Sequence, residues 1–185
     1  MRPYFSPFGS PRIKHYETST CVSTNVIRQG DIVSPDTVVS TGGFRVVRAE
    51  HGGGNGANLL NTTNVLGIAL ADSTYSGDTT GLVADGKGLD RSRYIPVAVN
   101  DGHTEFMGYL KGGLPAASSL IGMGRAVIWD STLAIWQVDS TNSTAALANV
   151  RVVGIAADQA GDTNGAVVFK FYSTQCHPSV VNSGW

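Results

Sequence analysis

The residues of this chain best suited to metal or nucleophilic chemistry are four histidines and two cysteines, and their positions argue against both. His15, His51, His103 and His177 share no ligand spacing, and Cys176-His177 is an adjacent pair with no second pair to complete a zinc site. Cys21 and Cys176 stand near opposite ends of the sequence. They could bridge only if the fold brought their Cα atoms within about 7 Å. Serine is abundant, yet no Gly-x-Ser-x-Gly elbow occurs. The glycine-rich stretch from Gly52 to Gly56 lacks the Lys-Ser/Thr ending and the following helix of a phosphate loop, and Gly122-Met123-Gly124-Arg125 leads into a strand. Asp72, Asp78, Asp85, Asp90, Asp158 and Asp162 match no calcium-loop spacing. They read as turn formers that bond nearby backbone. The expectation is a protein with no catalytic residue, no metal and no cofactor.

Two tryptophans leave two readings open. Trp129 and Trp136 bracket a tight turn at Asp130-Ser131. On one side of a hairpin they would form either a surface platform, for a glycan or a subunit interface, or a cross-strand pair in the core. Trp185 is a third candidate interface residue.

The elements that would position these groups are almost all strands. Val65-Leu66-Gly67-Ile68-Ala69 returns as Val152-Val153-Gly154-Ile155-Ala156, each followed by an Asp/Gly turn and another apolar segment. Such runs read as buried strands, and the interior glycine marks a bulge or a close backbone approach. The 87 positions between the copies exceed a solenoid period. They are two equivalent strands of one domain or the inner strands of two small lobes. Tyr94–Val99, Asn100-Asp101-Gly102 and Thr104–Tyr109 read as a hairpin, with Pro96 pushing its strand toward an edge or bulge. A second hairpin spans Ala126–Val138, and a short helix is expected over Pro115–Ile121. The fold class is all-β, a sandwich or barrel.

Residues 1–20 read as an extended arm, 21–175 as the β domain and 176–185 as a tail. Pro3, Pro7 and Pro11 recur at every fourth position around Tyr4, Phe5 and Phe8. Proline fixes φ and removes a donor, so this segment runs extended. Its aromatics would clamp a partner or wrap their own domain.

A net charge of -1 leaves no basic surface for direct nucleic-acid binding. The charged fraction of 15% falls below the ~25% of ordinary domains, as suits a surface that a partner covers. No apolar run approaches the ~20 residues that span a bilayer. Prolines near the N-terminus interrupt any signal-peptide core, so a non-secreted protein with two free thiols is expected.

In order come Ile13-Lys14-His15-Tyr16-Glu17-Thr18, Ile27-Arg28-Gln29-Gly30-Asp31-Ile32-Val33, Val65-Leu66-Gly67-Ile68-Ala69, Tyr94–Val99 and Val152-Val153-Gly154-Ile155-Ala156, in a likeness that spans residues 13–172. This order resembles the small decoration (cement) proteins of tailed-bacteriophage capsids. The resemblance implies a β-rich virion protein, made in the host cytoplasm, that binds the major capsid protein on the outer shell as a homotrimer. It carries no catalytic residue. Pro3, Tyr4, Phe5, Pro7, Phe8 and Pro11 would be partner-binding on the physical reading above, outside the resemblance. The alternative is a fibre or spike module that binds a host glycan through Trp129 and Trp136.

Overall fold

The computed structural model describes residues 1–3, 11–18, 27–35, 45–50, 59–60, 64–73, 94–141 and 147–172. The described chain is all-β with short 3-10 turns, as its periodicity predicts. β2 (Ile13–Thr18), β3 (Ile32–Pro35), β4 (Arg45–Arg48), β5 (Gly67–Ala69) and β6 (Tyr94–Val99) form a closed barrel in the order β2-β4-β3-β5-β6.

The following strands are β7 (Phe106–Lys111), β8 (Gly124–Arg125), β9 (Val127–Asp130), β10 (Ile135–Asp139), β11 (Val150–Ile155) and β12 (Ala166–Phe171). They form a sheet in the order β8-β11-β12-β7-β10-β9. Its two ends are one strand. Only Ala126 separates β8 from β9, and its carbonyl accepts from Asp139 N at 2.9 Å while that of Arg125 accepts from Asn149 N at 2.9 Å. The bent run 124–130 therefore pairs β11 with its first half and β10 with its second, and the sheet closes through it.

The two barrels share one connection pattern. Counting the bent run as a single strand, the first strand of each lies parallel to the third, in β2–β4 and β7–β10. Every other neighbouring pair is antiparallel, and each order reads first-third-second-fourth-fifth. The repeated apolar run is the fourth strand of both, β5 and β11. Of the two arrangements its spacing allowed, two small lobes is the one present.

The echoed glycines split the two roles expected of them. A Cβ on Gly67 would lie 2.0 Å from the Ala98 carbonyl oxygen, so strands β5 and β6 meet there because no side chain intervenes. Gly154 stands at a register shift in β11, and a Cβ there would meet only Val168 at 3.5 Å. One is a close approach and the other a bulge.

Alternation along the strands assigns the core. Val33, Val46, Ala69, Ile95, Val97 and Val99 fill the first barrel together with Ile27 and Leu66. The intervening residues Ile32, Ile68 and Ala98 face outward and join the interior of the second barrel in one continuous cluster. That cluster includes Phe106, Trp129, Trp136, Phe169 and Phe171. Strand β6 is thus buried on both faces, which is why Ile95 to Val99 is an unbroken apolar run.

The expected hairpin between residues 94 and 109 does not form. β6 pairs with β2 and β5, whereas β7 pairs with β12, β10 and β1 (Arg2–Pro3), so residues 100–105 cross from one barrel to the other. The chain still bends there. The Asp101 carboxylate accepts from His103 N at 2.9 Å, Thr104 N at 2.8 Å and Thr104 Oγ1 at 3.0 Å. Burial opposes its ionisation, but these bonds outweigh it and hold its pKa below the ordinary value. Pro96 lies inside the closed barrel, neither at an edge nor at a bulge. Its carbonyl accepts from Leu70 N at 2.8 Å, just past the end of β5, so its missing donor interrupts no bond within that strand.

The arm boundary also moves. Residues 13–18, expected in an arm of 1–20, form β2 inside the first barrel. β1 (Arg2–Pro3) adds an antiparallel strand to β7 of its own chain, and Met1 N donates to Gly30 O at 3.1 Å. The segment is therefore held at both ends, on the second barrel and at β2. Tyr4, Phe5, Pro7 and Phe8 lie outside the described residues, as do Cys21, Cys176, Trp185 and the tail 176–185; Pro11 is half-buried ahead of β2.

Candidate interaction surface

No cluster of three or more metal-ligating side chains exists among the described residues. Asp31, Asp130 and Asp139 hold turns, while Asp158 lies in the short 3-10 turn at Ala157–Gln159 and Asp162 follows it. Asp130 accepts from Thr132 N at 2.9 Å, Leu133 N at 3.1 Å and Lys111 Nζ at 2.6 Å. The lysine bond is the leading reason its pKa falls. Asp31 accepts from Arg28 N at 2.8 Å, but burial dominates and raises its pKa. Asp72 accepts from Gln29 N at 2.6 Å, 43 residues away, and ties the end of β5 to the turn before β3; the backbone two residues past it lies outside the described residues. Asp78, Asp85 and Asp90 lie outside the described residues.

Trp129 and Trp136 face each other across β9 and β10, with ring centroids 5.4 Å apart in an edge-to-face pair. They are 6% and 2% exposed, so the core reading holds and the subunit-interface reading fails at both positions. Arg48 stacks on Trp129 from the first barrel, 4.9 Å from the ring centroid. A cavity of roughly 230 Å³ between Met1, Gly108, Tyr109 and Gln159 is smaller than the ~300 Å³ of typical ligand sites. Gln159 Oε1 is already committed to Ala166 N at 2.8 Å.

Of the six large apolar side chains exposed among the described residues, Ile13, Tyr109 and Leu133 are scattered and the other three lie on the loop from β7 to β8. Here the sequence predicts a helix over Pro115–Ile121, and the structure has a single 3-10 turn at Ser118–Leu120. Backbone pairing takes the place of a helix. Pro115 bridges Thr163, Ala116 N donates to Asp162 O at 3.0 Å, and Gly161 N donates to Ala116 O at 2.7 Å. Leu114 N is held by Ser140 Oγ at 3.1 Å, and Gly122 N by Val152 O at 2.8 Å. Ala116 and Leu120 plug the end of the second barrel. Leu114, Ile121 and Met123, between and beside those plugs, are 45%, 48% and 44% exposed.

Three apolar side chains on one anchored loop offer a partner a surface that loses little entropy on binding. The sequence reading missed all three. Their signal was Gly112-Gly113 and Gly122, which bracket the loop and end any helix.

Compared with protein-family models, curated proteins and solved structures, the chain matches none of them.

Proposed function

We propose that this chain is a structural virion protein that binds the outside of a tailed-phage capsid and stabilises the shell. The observation that carries the reading is the division of its apolar groups. Both barrel interiors are filled by side chains, and Leu114, Ile121 and Met123 are presented to solvent on a pinned loop. That arrangement suits a rigid surface that covers another protein, and the resemblance of residues 13–172 to decoration proteins points to the shell as the protein covered. The major capsid protein is the proposed partner and a homotrimer the proposed form. Tyr4, Phe5, Pro7 and Phe8, on the segment joining β1 to β2, are a proposed second contact.

The mechanism needs no reaction. A protein that binds the assembled lattice and not its dissociated subunits stabilises that lattice by RT ln(1 + [L]/Kd) at every site. Because Trp129 and Trp136 are buried in the core, no observation favours the glycan-binding alternative.

Co-sedimentation with expanded phage shells that lack their decoration protein tests the proposal. Saturable binding, symmetric added density and a higher shell melting temperature are expected. Absence of co-sedimentation at tens of micromolar protein, on the shells of its own phage, would refute it.

A further inference from the structure

Arg125 is 4% exposed, yet no carboxylate among the described residues pairs with it. Its Nη1 reaches Gly124 O at 3.3 Å and its Nη2 the Met123 sulfur at 3.1 Å, a weak acceptor. Its Nε is buried and has no hydrogen-bond partner among the described residues. A guanidinium keeps its charge in proteins, and an unpaired buried charge is costly.

The position is specific. β8 is where the second barrel's bent strand begins, and Arg125 pairs with Val150 while Gly124 pairs with Arg151, so the two arginines lie on opposite faces of one short segment. Arg151 Nη2 comes within 3.9 Å of where a Cβ on Gly122 would stand, and Arg151 itself is exposed. Met123, whose sulfur meets the guanidinium, is exposed, as is Ile121 two residues before it. Met123 is unbranched and covers the guanidinium, so a rotamer change would uncover it.

We infer that Arg125 is a receptor for a carboxylate on a partner protein, seated between apolar side chains, with Met123 as its displaceable cover. Arginine's planar fork matches a carboxylate in two parallel bonds, and Nε is one of the two donors that such a pair uses. A desolvated arginine inside an apolar rim is the composition of an interface hot spot. The occupant is an acidic protein segment rather than a phosphate backbone, because the chain's net charge of -1 supplies no field to gather nucleic acid. The inference does not depend on the partner being a capsid.

The test follows the Arg125 Nε–H resonance of the full chain labelled with ¹⁵N-arginine, assigned with Arg125→Met. The probes are blocked Leu-Glu-Leu and Leu-Gln-Leu tripeptides, inorganic phosphate and a twelve-nucleotide single-stranded DNA. Leu-Glu-Leu is expected to shift the resonance, with affinity at least tenfold above that of Leu-Gln-Leu and little changed by Arg151→Gln on the opposite face. Arg125→Met is expected to abolish Leu-Glu-Leu binding, read by titration calorimetry, while leaving the melting temperature equal or higher, since an apolar replacement removes an unpaired buried charge. An arginine that merely caps the Gly124 carbonyl would instead lower the melting temperature when replaced. That outcome without any peptide effect overturns the inference, as does an equal response to phosphate or DNA. A shift that follows protein concentration alone, with no probe, makes a second copy of the chain the occupant and also overturns it.

Discussion

The first barrel is lined by valine, isoleucine, leucine and alanine, the second by two tryptophans and three phenylalanines among its aliphatics, although their strands connect in the same order. The connection pattern therefore tolerates a wholesale change of lining. What must be conserved is the match between interior volume and side-chain volume, because protein interiors are packed as densely as organic crystals. The aliphatic barrel brings its strands close, to the point that Gly67 admits no Cβ. The aromatic barrel leaves room at the equivalent glycine, and its extra volume is taken by rings in contact, with Phe106 and Phe171 centroids 5.6 Å apart. The first barrel also donates its outer face to the second barrel's core, so the dependence between them runs mainly one way in space and both ways in energy.

Five substitutions would break or sharpen that contrast. Trp136→Ala should have the largest effect, about 3–5 kcal/mol of lost stability by chemical denaturation. Because the core cluster continues onto Ile32, Ile68 and Ala98, one transition is expected; two separated transitions would show that the barrels fold independently. Next comes Gly67→Ala, expected to cost about 3 kcal/mol by overpacking against backbone. Gly154→Ala, its counterpart, should stay within about 1 kcal/mol. Equal costs would mean that the echoed glycines serve one purpose after all.

Asp101→Ala, at the crossing between barrels, should cost about 1–3 kcal/mol at neutral pH through its lost backbone bonds. Its folded pKa is lowered, so its contribution is present above the ordinary carboxylate value and lost as pH falls through the folded one. Asp31 has the opposite sign. Its folded pKa is raised, so its contribution is complete at low pH and is lost as pH rises through the folded value. The smallest effect, under about 1 kcal/mol at neutral pH, is expected for Asp31→Asn, which keeps an acceptor for Arg28 N and removes the buried charge. Urea denaturation of the two variants between pH 3 and 7 should show pH profiles that diverge from the parent in opposite senses; shifts of the same sense would contradict the assignment.

The strands, the Trp hairpin and the doubled Val-x-Gly-Ile-Ala run were legible because alternation and turn residues are local signals. The pairing of Tyr94–Val99 was not. Asn100-Asp101-Gly102 does turn the chain, but nothing local to that turn says that β6 already has both edges filled by β2 and β5. The helix expected after Pro115 failed for a related reason, since Ala116 finds its bonds with Gly161 and Asp162 across the barrel end. Trp129 and Trp136 had two readings in sequence because a hairpin does not reveal which of its faces is covered. The candidate surface was the least legible part. Exposure at Ile121 and Met123, and burial at Arg125, depend on where the loop is pinned.

The short strand at Arg2–Pro3 sets an order of events for the growing chain. Its partners, Phe106 and Met107, are encoded about a hundred residues later. At roughly 5–20 residues per second, β1 must wait on the order of 5–20 s after its own synthesis before β7 exists to receive it. By the end of that interval every strand of the first barrel, β2 to β6, has already been synthesised. Docking of β1 is a stitch that must wait for the second barrel's first strand. A chain stalled before residue 106 would leave that stitch open, with an unpaired strand next to three aromatics, the kind of surface on which chaperones act.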